Sequence, residues 1–342
     1  MRHLQIYLFF FICFAALSCN NKKLPDISKI KLSIPIERFD QDLNNVNPDS
    51  ISVKAPDLRK KYTWFYDDYM EKMISAGHTQ DTTYLNNLRT ILRNKDYLEL
   101  RSTVTQTFPD LKKQQDELNQ AFSYIRYYYP EQQFPRIISF ISGFAVQTPI
   151  GNDYIGIGLD MFLGKNGDRF YPALRQSIPQ YISRRFSPEN ISPRVIEAFI
   201  REEMFPENDA DRNLLSKMVY NGKILYLMDA VLPETSDTLK IGYTTEQLQW
   251  CKEFEAGIWA YFLENELLFE SDYLRIQKYL AEAPFTPGIG ENSSSAPKLG
   301  VWTGWQIVRQ YMEKNPDIGL QQLMLEKDAQ RILTGSKYKP RD

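Results

Sequence analysis

Outside its first nineteen residues this sequence offers few groups able to do chemistry, and most of those are carboxylates. It has two histidines, His3 and His78, and three cysteines, Cys13, Cys19 and Cys251. So few imidazoles and thiols exclude a His/Cys-rich zinc site and an H-E-x-x-H helix. His78 follows Gly77 in a polar stretch and reads as a loop residue past a helix end. Glu264, Glu266, Glu270 and Asp272 lack the tight glycine-containing loop of a calcium site and read as a solvated face. Glu202 and Glu203 are adjacent, so on a helix they project about 100° apart and cannot flank one glycosidic bond. Cys251 sits on an apolar helical stripe and reads as a small core residue. No catalytic set, metal or cofactor is expected from these residues.

The clearest chemical assignment lies at the start. Arg2 is followed by the apolar run Ile6 to Leu17, then Ser18 and Cys19. This is a secretory signal whose cleavage falls before a cysteine, although Ala16 stands where Leu or Val is usual. The run is shorter than the roughly 20 residues of a membrane-spanning helix. The expectation is a lipoprotein, with signal peptide 1–18 and acyl chains on Cys19. Two or more chains anchor durably, because each buried CH₂ contributes about 0.8 kcal/mol. Asn20-Asn21-Lys22-Lys23 has no acidic cluster, which favours a periplasm-facing position.

Composition agrees with an exported folded protein. Of 342 residues, 43% are hydrophobic and 25% charged, as in globular domains. The net charge of −2 and the lack of a basic block argue against nucleic acid as a partner. With Cys13 removed and Cys19 acylated, Cys251 has no partner for an internal disulfide.

The elements that must position any site are mostly helical. Leu58, Tyr62, Phe65, Tyr69 and Met73 recur at three- and four-residue steps; Leu85, Leu88 and Leu92 form a second stripe, and Leu118, Phe122 and Ile125 a third. Strands are predicted at 136–142 and 154–159, separated by turn residues 149–153. Gly156 and Gly158 leave one strand face bare, open to a second backbone or a ligand. Helices return at 194–205 and 210–232. Thr244 and Gln247 form a capping box opening a long helix to Leu268. Residues 283–300 form a Pro/Gly/Ser loop, long enough to be functional or mobile. Trp302, Trp305 and Tyr311 follow it, either as an aromatic wall beside a cleft or, more simply, as core. The expected fold is α+β and predominantly helical with a small central sheet. Its organisation is a tether at 19–34, an N-terminal helical region at 35–130, and an α+β region at 131–335 packed with it.

Several segments together resemble one family. Ile155-Gly-Ile-Gly-Leu-Asp-Met-Phe-Leu163, Asn221-Gly-Lys-Ile-Leu-Tyr-Leu227, Glu255-Ala-Gly-Ile-Trp-Ala-Tyr261 and Gly300-Val-Trp-Thr-Gly-Trp-Gln-Ile-Val308 are similar to the gliding-motility lipoproteins known as GldB. Ile241-Gly-Tyr-Thr244 and Pro284-Phe-Thr-Pro-Gly288 extend the likeness. It implies an envelope lipoprotein whose partners are gliding or secretion-machinery proteins. The element order also resembles, more distantly, a gluzincin-type zinc metallopeptidase. In that likeness Arg201 and Phe205 stand at the histidine positions, Glu202 at the general base and Asn221 at the later glutamate ligand. Arg and Phe offer a metal no lone pair, so the resemblance implies a degenerate, zincin-like core without catalysis. A relict groove would then run past Ile155, Gly156 and Gly158 as an edge strand for an extended peptide, with Glu255, Trp302 and Trp305 beside it. The alternatives are an envelope hydrolase using carboxylates such as Glu202 or Glu255, and a substrate-binding lipoprotein.

Overall fold

The computed structural model describes residues 24–208, 210, 212–290 and 295–341. Cys19 and the signal segment lie outside the described residues. Three short parallel strands, β1 (Ile36–Arg38), β2 (Arg136–Phe140) and β3 (Tyr154–Gly158), form a sheet in the order β1-β2-β3. Ile137 pairs with Ile36 on one side and Ile155 on the other. Parallel sheets are buried on both faces, and this one divides two cores. Ile137, Ile155 and Ile157 face the larger core; Ile138, Phe140 and Tyr154 face the smaller.

The smaller core is made by α1 (Phe39–Asn44), α2 (Ile51–Asp68, running on to Met73 as a π turn) and α3 (Thr83–Arg93). Helix α2 carries the first sequence stripe, but it breaks at Thr63, whose φ is +47°. Phe39 meets Tyr62, Phe65 and Tyr69 edge-on at 4.8–5.0 Å, a geometry aromatic quadrupoles favour. Helices α4 (Lys95–Thr107) and α5 (Lys112–Tyr128) belong to the larger core. The helices of the smaller core therefore end at Arg93 and those of the larger begin at Lys95, while the sheet serves both. Residues 24–34 do not hang free: Ile27, Leu32 and Ile34 pack on the larger core, and Ile34 N donates to Asn119 Oδ1 at 2.8 Å.

The rest of the larger core is helical: α6 (Ile191–Phe199), α7 (Leu214–Val231), α8 (Asp237–Ile241), α9 (Thr245–Glu253), α10 (Glu255–Glu264), α11 (Leu299–Lys314), α12 (Leu320–Leu325) and α13 (Ala329–Ser336). The Thr244–Gln247 capping box forms as expected. The long helix predicted after it does not: it breaks at Phe254 into α9 and α10. Helices α7 and α11 make the most extensive helix–helix contact, centred on glycines. A Cβ on Gly222 would lie 2.2 Å from Gly304 O, and one on Gly304 would lie 1.8 Å from Met218 O. Only bare backbones approach this closely.

Candidate functional site

The site is a polar cavity of about 440 Å³ between α6, α7 and the approach to α11. Helix α6 supplies its floor. Ile191, Val195, Ile196 and Phe199 are buried on its core side. Arg194, Glu197 and Arg201, at steps of three and four, line the cavity. Glu197 is a shared acceptor: Oε2 takes a hydrogen bond from Arg194 Nη1 at 3.1 Å and Oε1 one from Arg201 Nε at 3.0 Å. Burial alone would raise its carboxyl, but Arg201, Arg194 and nearby cations hold it well below the usual carboxylate range.

Helix α7 brings Asn221 to the same place. Its Nδ2 donates to Lys217 O at 2.8 Å, and its Oδ1 accepts from Arg201 Nη2 at 3.0 Å. Arg201 thus ties α6 to α7, with Tyr220 beneath it at 5.7 Å. Burial opposes its charge, and Glu197 more than offsets that, so its pKa is raised.

The opposite wall comes from Glu282 and Lys298. Glu282 Oε1 accepts from both Arg185 Nη1 and Lys298 Nζ. Lys298 caps α11 with φ +42° and ψ +48°, a left-handed conformation that costs a lysine energy and survives only when its surroundings enforce it. The enforcing residue is buried Thr286, whose Oγ1 donates to Ala296 O at 2.8 Å and accepts from Leu299 N at 3.2 Å. Tyr243 OH adds a bond to Pro297 O. The described ends of the 283–300 loop are therefore latched to the body. Burial pulls the Lys298 ammonium down to about 8, against Glu282. Arg185 lies flat on Gly242, where a Cβ would meet its Cζ at 2.1 Å; at φ +78° this position also favours glycine by conformation.

Below the cavity Asp229 of α7 collects Lys240 Nζ at 2.9 Å, Trp305 Nε1 at 3.0 Å and both Arg309 Nε and Nη2. Arg309 also grips Asp237 with two bonds. The network joins α7, α8 and α11 and fixes Lys240 at the cavity wall.

Of the residues singled out from sequence, Arg201, Glu202 and Asn221 meet at this cavity. Phe205 does not: α6 ends in a π turn, Ile200–Met204, which rotates Phe205 away against Tyr129 at 5.7 Å. The proposed groove residues are elsewhere. Trp302 and Trp305 are 1% and 0% exposed and form core, not a cleft wall. Glu255 accepts from Tyr338 OH at 2.7 Å on another side of the molecule. Ile155, Gly156 and Gly158 are buried, and the free edge of β3 is taken by the chain itself. Gly156 N donates to Pro149 O at 2.8 Å and Gly158 N to Gln147 O at 2.9 Å. The chain's own residues fill the bare face: a Cβ at Gly156 would strike the Phe140 and Pro149 side chains, and one at Gly158 the backbone oxygen of Val146. No external strand can add there. That covering segment instead lends Thr148 to the cavity.

The model of the family described as gliding motility protein GldB matches residues 20–340. The chain belongs to this family. Its name marks the members as gliding motility lipoproteins. No curated protein and no solved structure matches. For this GldB-family chain, sequence reasoning missed Glu197, Glu282, Lys298, Arg185 and Asp229. The i, i+3 and i, i+4 spacing of Arg194, Glu197 and Arg201 was the available signal; the partners from distant segments left none.

Proposed function

We propose that this protein is a membrane-anchored, periplasm-facing lipoprotein that supports gliding and its associated secretion machinery by binding other proteins, without catalysing a reaction. The observation that carries this reading is the state of Arg201. Its guanidinium is committed to Glu197 and Asn221, so it is a structural tie in the middle of the cavity. An arginine there offers a metal no lone pair. Glu197 has both oxygens engaged by cations and is held ionised, which suits an ion-pair hub better than a general acid. What remains is a walled, charged recess suited to recognition.

The test is proximity crosslinking and recovery of the lipidated protein from native membranes, with Cys19→Ala as control. Recovery of gliding or secretion components, lost in the control, is the expected result. Recovery of the protein alone would sink the reading. One observation favours a carboxylate hydrolase as the second reading: Glu202 lines the cavity, is exposed, and has no ion-pair partner among the described residues. Activity on envelope peptide or glycan that disappears in Glu202→Gln would establish it.

A further inference from the structure

The surface between Leu263 and Leu274 combines exposed apolar side chains with charge of one sign. Of the twelve large apolar side chains exposed among the described residues, four lie here: Leu263, Phe269, Tyr273 and Leu274, between 48% and 75% exposed. Single exposed apolar residues are ordinary, but several together mark an interaction surface. The same stretch carries four carboxylates and no cation, in a chain whose 41 basic and 43 acidic residues nearly balance. Arg275, the next residue, pairs with Glu270. Glu264, Glu266 and Asp272 are exposed and have no ion pair among the described residues.

This stretch is anchored rather than loose. Leu267 and Leu268 are buried in the larger core. Three turns close in succession: Glu266 N donates to Leu263 O at 3.0 Å, Glu270 N to Leu267 O at 3.1 Å and Arg275 N to Asp272 O at 3.0 Å. Glu270 O accepts from Leu214 N at 2.9 Å, which fastens the stretch to the start of α7. Asp272 Oδ1 accepts from Leu274 N at 3.0 Å and caps the short helix Tyr273–Ile276. The backbone that presents the exposed side chains is therefore ordered before any partner arrives, which lowers the cost of binding.

We propose that the Leu263–Leu274 surface docks a basic, apolar segment of a protein partner, with Phe269, Tyr273 and Leu274 as anchors and Glu264, Glu266 and Asp272 as the charged rim. Apolar and aromatic anchors inside a polar rim are the common anatomy of a protein interface. The single sign of the rim selects the partner: lysines and arginines around the apolar contact complement it, and acidic surfaces are repelled. A second copy is disfavoured on the same ground, since a two-fold contact sets this patch against itself. An anionic bilayer is repelled likewise. The inference rests on the protein-binding reading and adds the surface used and the chemistry of its partner; it makes no use of the polar cavity.

Benzoylphenylalanine, a photocrosslinking residue, would replace Leu274 in the full-length lipidated protein, with Leu325, exposed to a similar degree, replaced as the control. Irradiation of native membranes should join position 274, and not position 325, to one protein, through a segment whose lysines or arginines flank apolar residues. Glu264→Lys with Glu266→Lys, and separately Phe269→Ala, should each cut the yield about tenfold or more. Both leave the denaturant midpoint unchanged, because these side chains are exposed. Reversing one of the partner's flanking cations to glutamate should restore crosslinking to the lysine variant and not to Phe269→Ala. Crosslinking to a second copy, to lipid, to an acidic segment or to nothing overturns the inference, as does a yield indifferent to the substitutions. Any of these results alongside recovery of gliding or secretion components overturns this inference alone and leaves the accessory role standing. Crosslinking at position 274 to a basic, apolar segment outside that machinery upholds the docking surface and overturns the accessory role.

Discussion

Gly222 and Gly304 touch backbone to backbone, and this contact sets the distance between the two helices that frame the cavity. A methyl group at Gly304 would lie 1.8 Å from Met218 O, and one at Gly222 would lie 2.2 Å from Gly304 O. Neither obstacle is a flexible side chain, so α7 and α11 would have to separate. Gly304→Ala is expected to destabilise the fold by about 1–3 kcal/mol or more, although alanine is the better helix former. Gly257→Ala on α10, with nothing near its Cβ position, should instead stabilise by roughly 0.5–1 kcal/mol. Denaturant midpoints of the two variants moving in the same direction would contradict the packing argument.

Asp229→Asn removes the negative charge shared by Lys240 and Arg309 and replaces one of its two acceptor oxygens with an NH₂ donor. Arg309 keeps Asp237, but Lys240, whose side chain is 5% exposed, loses its counter-charge. Stranding a buried ammonium costs about 3 kcal/mol. Urea unfolding should show that loss, and Lys240→Met added to Asp229→Asn should restore part of it.

Asp160 is fully buried in the 3-10 turn after β3, where two residues of the turn after β2 donate to it, Phe144 N at 2.5 Å and Ser142 N at 3.2 Å. Burial nonetheless lifts its carboxyl from 3.8 to about 6. Between those values the native state holds a proton that the unfolded chain has released. Stability therefore falls as pH rises through the window from about 4 to 6, by about 2–3 kcal/mol for this group alone. Asp160→Asn should remove that slope, measured as unfolding free energy against pH. An unchanged slope would show that Asp160 titrates normally.

Lys298 gives the opposite trend on the alkaline side. Its ammonium is lowered from 10.5 to about 8 by burial, with Glu282, Arg185 and Glu197 facing it. Between those values the unfolded chain holds the proton and the native state has lost it, so stability rises with pH. Comparing native protein with Lys298→Met just above pH 8 should show the rise only in the former. Buried Tyr69 and Tyr243, both raised above 10, act at higher pH.

Much of this architecture was legible in the chain. The stripes at 58–73 and 118–125, the two strands and the Thr244 cap all follow from local periodicity and hydrogen-bond chemistry. The paired cores were not, because the parity of Ile137 against Ile138 acquires meaning only once β1 is known to pair with β2 across about a hundred residues of chain. The break at Phe254 and the π turn at Ile200 are tertiary effects on segments whose local pattern reads as continuous helix. The cavity was half visible: Arg201, Glu202 and Asn221 were found, and Glu282, Arg185 and Lys298 come from segments with no periodic signature. The tryptophans were placed beside a groove because aromatics after a Gly/Pro loop fit both a wall and a core. Asp229 decided between them by giving Trp305 a buried partner for its indole N–H.

The packing of residues 24–34 along the body bears on how an acylated chain would stand on its membrane. Leu24 and Pro25 border a recess with Tyr128, Tyr226 and Met312, and from Ile27 onward the chain leans on the core. A lipid on Cys19 would then be joined to that recess by five residue steps, a leash of at most about 18 Å. So short a leash does not let the body tumble freely. With Cys19 acylated, it would keep the Tyr128–Met312 face turned toward the bilayer and limit which sides of the molecule a neighbouring protein could reach.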